Sequence, residues 1–215
     1  MPIGLERSTM SQGRFITVEG IEGAGKSTAM QFIAQYLRAK NIPLVVTREP
    51  GGTLIAEDIR QLLLTPHEEA MAIDTELLLM FASRAQHIAN VIRPALTKGQ
   101  WVLCDRFTDA SYAYQGGGRG IAAERIAALE AWVQGELQPN LTLLLDLPAE
   151  IGLMRIKDRK TQDRIEREQH VFFARVRQAY LARAQHFPQR FKIINAAEDL
   201  PQVQAQLLAA LSFVS

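Results

Sequence analysis

Short apolar runs alternate along the chain with longer stretches in which apolar residues recur every three or four positions. The runs predict strands at Arg14–Glu19, Leu44–Thr47, Trp101–Asp105, Leu141–Asp146 and Lys192–Asn195. The periodic stretches predict helices over Lys26–Lys40, Asp74–Leu96, Ala122–Leu137, Ala149–Arg155, Asp163–His186 and Leu200–Phe213, with Asp74 as a candidate N-cap of the second. Pro43, Pro94 and Pro139 fall at or near element ends, where a missing N–H costs least. Strands alternating with helices read as an α/β chain: a five-stranded, mostly parallel sheet with helices on both faces, ligands gathering at the carboxyl ends of the strands.

Composition narrows the picture in a few places. The 215 residues suit one compact domain, expected over 14–215, with residues 1–13 a flexible leader that has no secretory pattern. No apolar run approaches the roughly 20 residues of a membrane helix, so a soluble cytoplasmic protein without a membrane partner is expected. The formal charge of +1 carries no footprint for a nucleic-acid polymer. The single cysteine, Cys104, sits inside a strand pattern and reads as a buried, inert thiol. The four histidines have no metal-ligand spacing, and surface or helix-face roles are expected for them.

The stretch Gly20-Ile21-Glu22-Gly23-Ala24-Gly25-Lys26-Ser27, followed by Thr28, fits G-x-x-x-x-G-K-[ST] between a predicted strand and a predicted helix. Glycines let backbone N–H groups wrap phosphates, Lys26 reaches the β and γ phosphates, and Ser27 offers its hydroxyl to Mg²⁺. The fold expected is therefore the three-layer P-loop NTPase fold. At the end of the strand WVLCD, Asp105 is a second candidate for the metal side, and Arg106 beside it is suited to grip phosphate. No guanine-reading Asn-Lys-x-Asp segment occurs, which argues against a GTP switch. A nucleotide-dependent binding or switch protein stays open as an alternative class, and so does a kinase for another nucleoside or nucleoside monophosphate. A small-molecule kinase must hold two anions head to head, and it fits the arginines at 48, 60, 84, 106 and 119 and the basic run from Arg155 to Arg167. Between helices, residues 155–166 could close as a short lid.

The stretches FITVEGIEGAGKST, TREPGGT, TELLLMFASRAQH, VLCDRF, SYAYQGGGRG and DRIERE, in that order, resemble bacterial thymidylate kinases from about Arg14 to Phe213. The resemblance implies transfer of the γ-phosphoryl group of ATP to dTMP, giving dTDP, with Mg²⁺, by a homodimer. It implies that Arg84 reads the thymine, that Ser111 and Gln115 line the base pocket, and that Tyr114 lies against the sugar and excludes a 2′-hydroxyl. It places Glu22 near the 3′-hydroxyl, Arg60 and Arg106 on the acceptor phosphate, and Arg48, Glu49 and Pro50 beside it. Where many relatives stack a phenylalanine on the base, this chain has Met80, with Phe81 next; Met80 is favoured. Some relatives carry an arginine at the position of Gly23. Here the charge is expected from the lid, Arg159 first and then Arg155 or Arg164.

Overall fold

The structure is a computed structural model that describes residues 13–157 and 163–212. Its strands are β1 (Phe15–Glu19), β2 (Leu44–Arg48), β3 (Trp101–Asp105), β4 (Leu141–Asp146) and β5 (Phe191–Asn195). All pair in parallel in the order β2-β3-β1-β4-β5. The central strand β1 is buried at every position, as a parallel strand covered on both faces must be. Alternation along the strands divides the core. Ile16, Val18 and Leu103 join one apolar cluster, while Phe15, Val102 and Cys104 join another.

Helix α1 (Lys26–Ala39) lays Ala29, Met30, Ile33, Ala34 and Leu37 on the first cluster. The expected strands agree with the observed ones to within a residue at each end; helix boundaries differ more, and each difference has a physical cause. α2 (Leu54–Leu64) was not anticipated, although Thr53 caps it by accepting from Ala56 N at 3.2 Å. The long helix expected at Asp74–Leu96 is α3 (Ile73–His87), a π turn (Ile88–Ile92) and α4 (Arg93–Thr97). Pro94 has no N–H to continue the ladder, and Arg93 N reaches back five residues to Ile88 O. Ala72, not Asp74, occupies the N-cap of α3; Asp74 instead accepts from Arg125 at 2.8 Å.

After β3 come α5 (Thr108–Ser111) and a π turn (Tyr112–Gly118), both unanticipated, then α6 (Ala123–Val133), shorter than expected, and α7 (Ala149–Ile156). Asp163 does not open a helix. Its carboxylate accepts from the N–H groups of Ile165 and Glu166, closing a turn, and α8 (His170–His186) starts later. α9 (Leu200–Ala210), capped by Asp199, ends the described fold. The expected leader falls outside the described residues except for Gly13, as does the middle of the expected lid, with Arg159.

One buried ion cluster ties these layers together. The Asp109 carboxylate, at the start of α5, accepts from Arg183 of α8 at 2.7 Å and from Arg190, just before β5, at 2.6 and 2.8 Å. Arg190 also donates to Thr142 Oγ1 in β4 at 2.8 Å. Removing the acid leaves two guanidinium groups facing each other in a largely buried place. Asp109→Ala is expected to destabilise the fold by about 3 kcal/mol, read as a lower urea midpoint at unchanged slope.

Candidate active site

The register Val18↔Asp105 brings the ends of β1 and β3 level, so the loops leaving them share one rim of the sheet. A cavity of about 350 Å³ opens there, lined by Glu22, Gly23, Gly25, Lys26, Ser27 and Thr28 on the P-loop side. Glu49, Pro50, Arg60, Met80, Asp105, Arg106, Tyr114, Gln115 and Arg155 complete it with the turn around Asp163.

Cations are gathered against one another in this cavity. Lys26 Nζ donates to Gly20 O at 3.0 Å and Ile21 O at 2.9 Å. Its loss of water and the nearby Arg106 push its pKa down to about 8, against the opposing pull of Glu22, Asp105 and Glu19. Arg60, which donates to Pro50 O at 2.9 Å, is likewise lowered by burial and by Arg48. Positive groups brought together at such a cost describe a place for polyanions.

Arg106 is the junction. It sits in the left-handed region at φ 69°, uncommon for a residue with a side chain. Its guanidinium donates to Glu22 at 2.6 Å, Gly20 O at 3.1 Å and Tyr180 at 3.4 Å, and lies 4.7 Å from the Tyr114 ring centroid. Tyr114 in turn donates to the other Glu22 oxygen at 2.7 Å. The turn is fixed from beneath by Glu19, fully buried at the end of β1, which accepts from Phe107 N and from the Tyr180 hydroxyl, both at 2.7 Å.

Of the other expected residues, some lie behind the cavity wall. Arg84 is 1% exposed. It donates to Glu49 at 2.7 Å, Ser111 at 3.0 Å and Phe107 O at 3.2 Å. Phe81 is buried 4.6 Å beneath the Arg84 guanidinium, leaving Met80 as the neighbour that reaches the cavity. Arg48 is exposed and paired with Glu57. Arg155 donates to Gly23 O at 3.3 Å and Ala196 O at 3.1 Å, bridging the P-loop and the loop after β5. Arg164 points elsewhere: it donates to Glu76 at 2.7 Å and Leu63 O at 2.8 Å, toward α2 and α3.

The sequence reading missed Glu19, Tyr180, Glu76 and His87. His87 is not on a surface face. It is fully buried, with Nδ1 2.9 Å from Glu49 and Nε2 2.7 Å from Thr47 Oγ1, behind the Arg48–Gly52 turn. A charged residue closing an otherwise apolar strand was the available signal for Glu19; the others had none, because their partners are 38 or more positions away. Among the described residues no cluster of three or more His, Cys, Asp or Glu side chains forms a metal site by itself. Asp105 Oδ1 is buried without a hydrogen-bond partner and Ser27 faces the same cavity, a donor pair that suits a hard cation completed by phosphate oxygens.

Sheet order, glycine loop and a cavity shared by paired cationic walls define a P-loop nucleotide kinase. Comparison with known proteins narrows this. Residues 18–207 match the family model described as thymidylate kinase. The chain is 62% identical over 199 residues to the thymidylate kinase of Pseudomonas entomophila (strain L48), covering 93% of this chain and 95% of the relative. It is 60% identical to that of Pseudomonas putida F1, with the same coverage. The crystal structure of thymidylate kinase from Ehrlichia chaffeensis superimposes with a TM-score of 0.75 at 33% identity, covering 93% of this chain and 98% of that one. The chain belongs to the thymidylate kinase family.

Two outcomes follow from this geometry. Gly23, at φ 75°, lies so close to α7 that a Cβ would come within 2.1 Å of Gly152 O, and a Cβ on Gly152 would come within 2.5 Å of Glu22 O. An arginine at position 23 therefore does not fit this P-loop without moving α7. Gly152→Ala should raise the KM for ATP by about tenfold or more through the displaced loop, with thermal stability changed far less, as measured by initial rates and melting. Glu19 supplies the second. Burial and the nearby Asp109 charge push its pKa up to about 8, outweighing the hydrogen bond from Tyr180 and the charge of Arg106. Between 4.5 and about 8 the folded state keeps a proton that the unfolded chain has released, so this group's contribution to stability falls as pH rises through that window. Urea unfolding of wild type and Glu19→Gln across it should show the wild type losing stability relative to the variant as pH rises; parallel curves would refute the assignment.

Proposed function

We propose that the chain transfers the γ-phosphoryl group of ATP to dTMP, giving dTDP, with the donor in the P-loop and the acceptor between Arg60, Arg106 and the α3 wall. The observation that carries this reading is one cavity that joins the P-loop to further arginines. Lys26 and Arg106 meet at Gly20 O, beside Ser27 and the loop N–H groups, and Arg60 with the less charged Met80, Tyr114 and Gln115 completes the same cavity.

An oxygen of the acceptor phosphate attacks the γ-phosphorus in line, and the bond from that phosphorus to the β,γ-bridging oxygen breaks, leaving ADP. The attacking oxygen is already anionic near neutral pH, so no strong base is needed; positioning and charge neutralisation do the catalysis. Lys26 meets the donor phosphates. Arg106, oriented by Glu22 and Tyr180, and Arg60, held by Pro50 O, meet the acceptor phosphate. Ser27 and Asp105 would hold Mg²⁺, which when bound offsets phosphate charge. Arg155 belongs to the donor side: it also lines an adjoining cavity of about 260 Å³ between α1 and α9, with Phe32, Ala196 and Leu200, suited to the donor base. Arg164, bonded to Glu76 and Leu63 O, belongs to the acceptor side in this reading. Tyr114, pinned by Glu22, is placed to crowd the acceptor's sugar.

The same reading includes a homodimer and a cytoplasmic location. The dimer is supported by Leu54, Ile55, Leu62, Ile73, Leu78 and Trp132, large apolar side chains left exposed on α2, α3 and α6. Among the described residues no helix is long and apolar enough to cross a membrane. Purified protein with ATP and Mg²⁺, offered dTMP, thymidine and other nucleoside monophosphates, should form dTDP with the highest kcat/KM. Preference for thymidine over dTMP would overturn the reading.

A further inference from the structure

Gln115 lines the cavity, and its amide nitrogen is committed to Glu76. Nε2 donates to Glu76 Oε1 at 2.9 Å, while Oε1 is buried and has no hydrogen-bond partner. Glu76, in the first turn of α3, is 2% exposed. Its carboxylate also accepts from Arg119 Nε at 3.3 Å and Nη2 at 3.2 Å, and from Arg164 Nη2 at 2.7 Å. Burial would raise the pKa of Glu76, but the Gln115 bond and the two guanidinium groups hold it below the usual carboxylate range. An ionised carboxylate only accepts hydrogen bonds. The amide nitrogen of Gln115 must therefore face Glu76, and its oxygen must face the other way.

We infer that Glu76 is a positioning residue for acceptor specificity: by fixing the Gln115 amide it offers the base pocket an acceptor oxygen and never the NH₂ group. The inference rests on the reading of dTMP as acceptor and Gln115 as a base contact. In dTMP the sugar occupies N1, so N3–H is the only ring N–H, and it matches an acceptor oxygen. Cytosine has a lone pair at N3, which an acceptor oxygen opposes. Glu76 thus favours thymine over cytosine without touching either. Arg119 and Arg164 keep Glu76 charged and fixed; Arg119 is itself paired with Glu168, and the Arg164 backbone donates to Leu64 O at 2.9 Å.

Glu76→Gln inverts the logic. The new amide at position 76 must turn its oxygen to the guanidinium groups and its NH₂ to Gln115, which either flips or loses its partner. The KM for dTMP should rise about tenfold or more, the scale of one lost hydrogen bond in a site without water, with kcat and the KM for ATP within about twofold. The ratio of kcat/KM for dTMP over dCMP should fall by a similar factor. The exchange Glu76→Gln with Gln115→Glu restores the hydrogen bond between positions 76 and 115 and returns an oxygen to the pocket, while Arg119 Nε loses its acceptor at position 76, so it should bring the KM for dTMP to within about threefold of wild type. On a Gln115→Met background, Glu76→Gln should add less than about twofold.

An unchanged dTMP:dCMP ratio in Glu76→Gln, or an exchange that restores the melting temperature but not the ratio, would overturn the inference. If Glu76→Gln does not fold, the exchange carries the same readout. If Gln115→Met leaves the KM for dTMP unchanged, the base-contact reading of Gln115 itself fails. If only Glu76→Gln is silent, the role of Glu76 alone is lost.

Discussion

The Arg106 guanidinium meets groups from three separate parts of the chain: Glu22 and Gly20 O in the P-loop, Tyr180 in α8, and the ring of Tyr114 in the π turn. That meeting is possible because β1 and β3 are parallel neighbours in level register, and because the residue after β3 turns into the left-handed region, throwing its side chain back over the loop. The conformation is costly for a residue with a Cβ, and the surroundings hold it: Arg106 N donates to Val18 O at 3.0 Å and Phe107 N to Glu19 at 2.7 Å. The P-loop, Arg106 and Tyr114 are therefore not independent parts. Each is oriented by the same cation.

Behind this front, one wall of the cavity is braced by buried polar side chains. Arg84 and His87 hold the two oxygens of Glu49, and Glu76 gathers Gln115, Arg119 and Arg164. A buried ion is tolerated only when its hydrogen bonds are filled, and filling them leaves each visible side chain with one orientation. Rigid supports of this kind are what positional catalysis and base discrimination require.

Legibility in the sequence follows the range of the interactions. The phosphate cradle was readable because eight consecutive residues perform its task, and Asp105–Arg106 because a strand end displays them together. The inner strands β1, β3 and β4 were readable because a buried parallel strand is largely apolar, and the partly exposed edge strands β2 and β5 still carried short apolar runs. Helix ends were less so. The π turn before Pro94 and the Asp163 turn depend on which carbonyl a given N–H reaches, and periodicity does not report that. Residues 155–166 read as one lid; of its arginines, Arg155 turns to Gly23 O and Arg164 to Glu76.

By itself the sequence determined that a P-loop lies between β1 and α1, that the chain is a doubly wound α/β fold, and, through the order of its motifs, which kinase family it resembles. These depend on local geometry: alternation, helical period and a glycine loop that closes on itself. Only the tertiary structure decided which arginines face the cavity and which brace its wall, why Gly23 has no room for a side chain, and which way the Gln115 amide points. Those outcomes are set by burial. A polar group removed from water takes the partner that packing brings to it, however distant in the chain, and residue type does not specify that partner in advance.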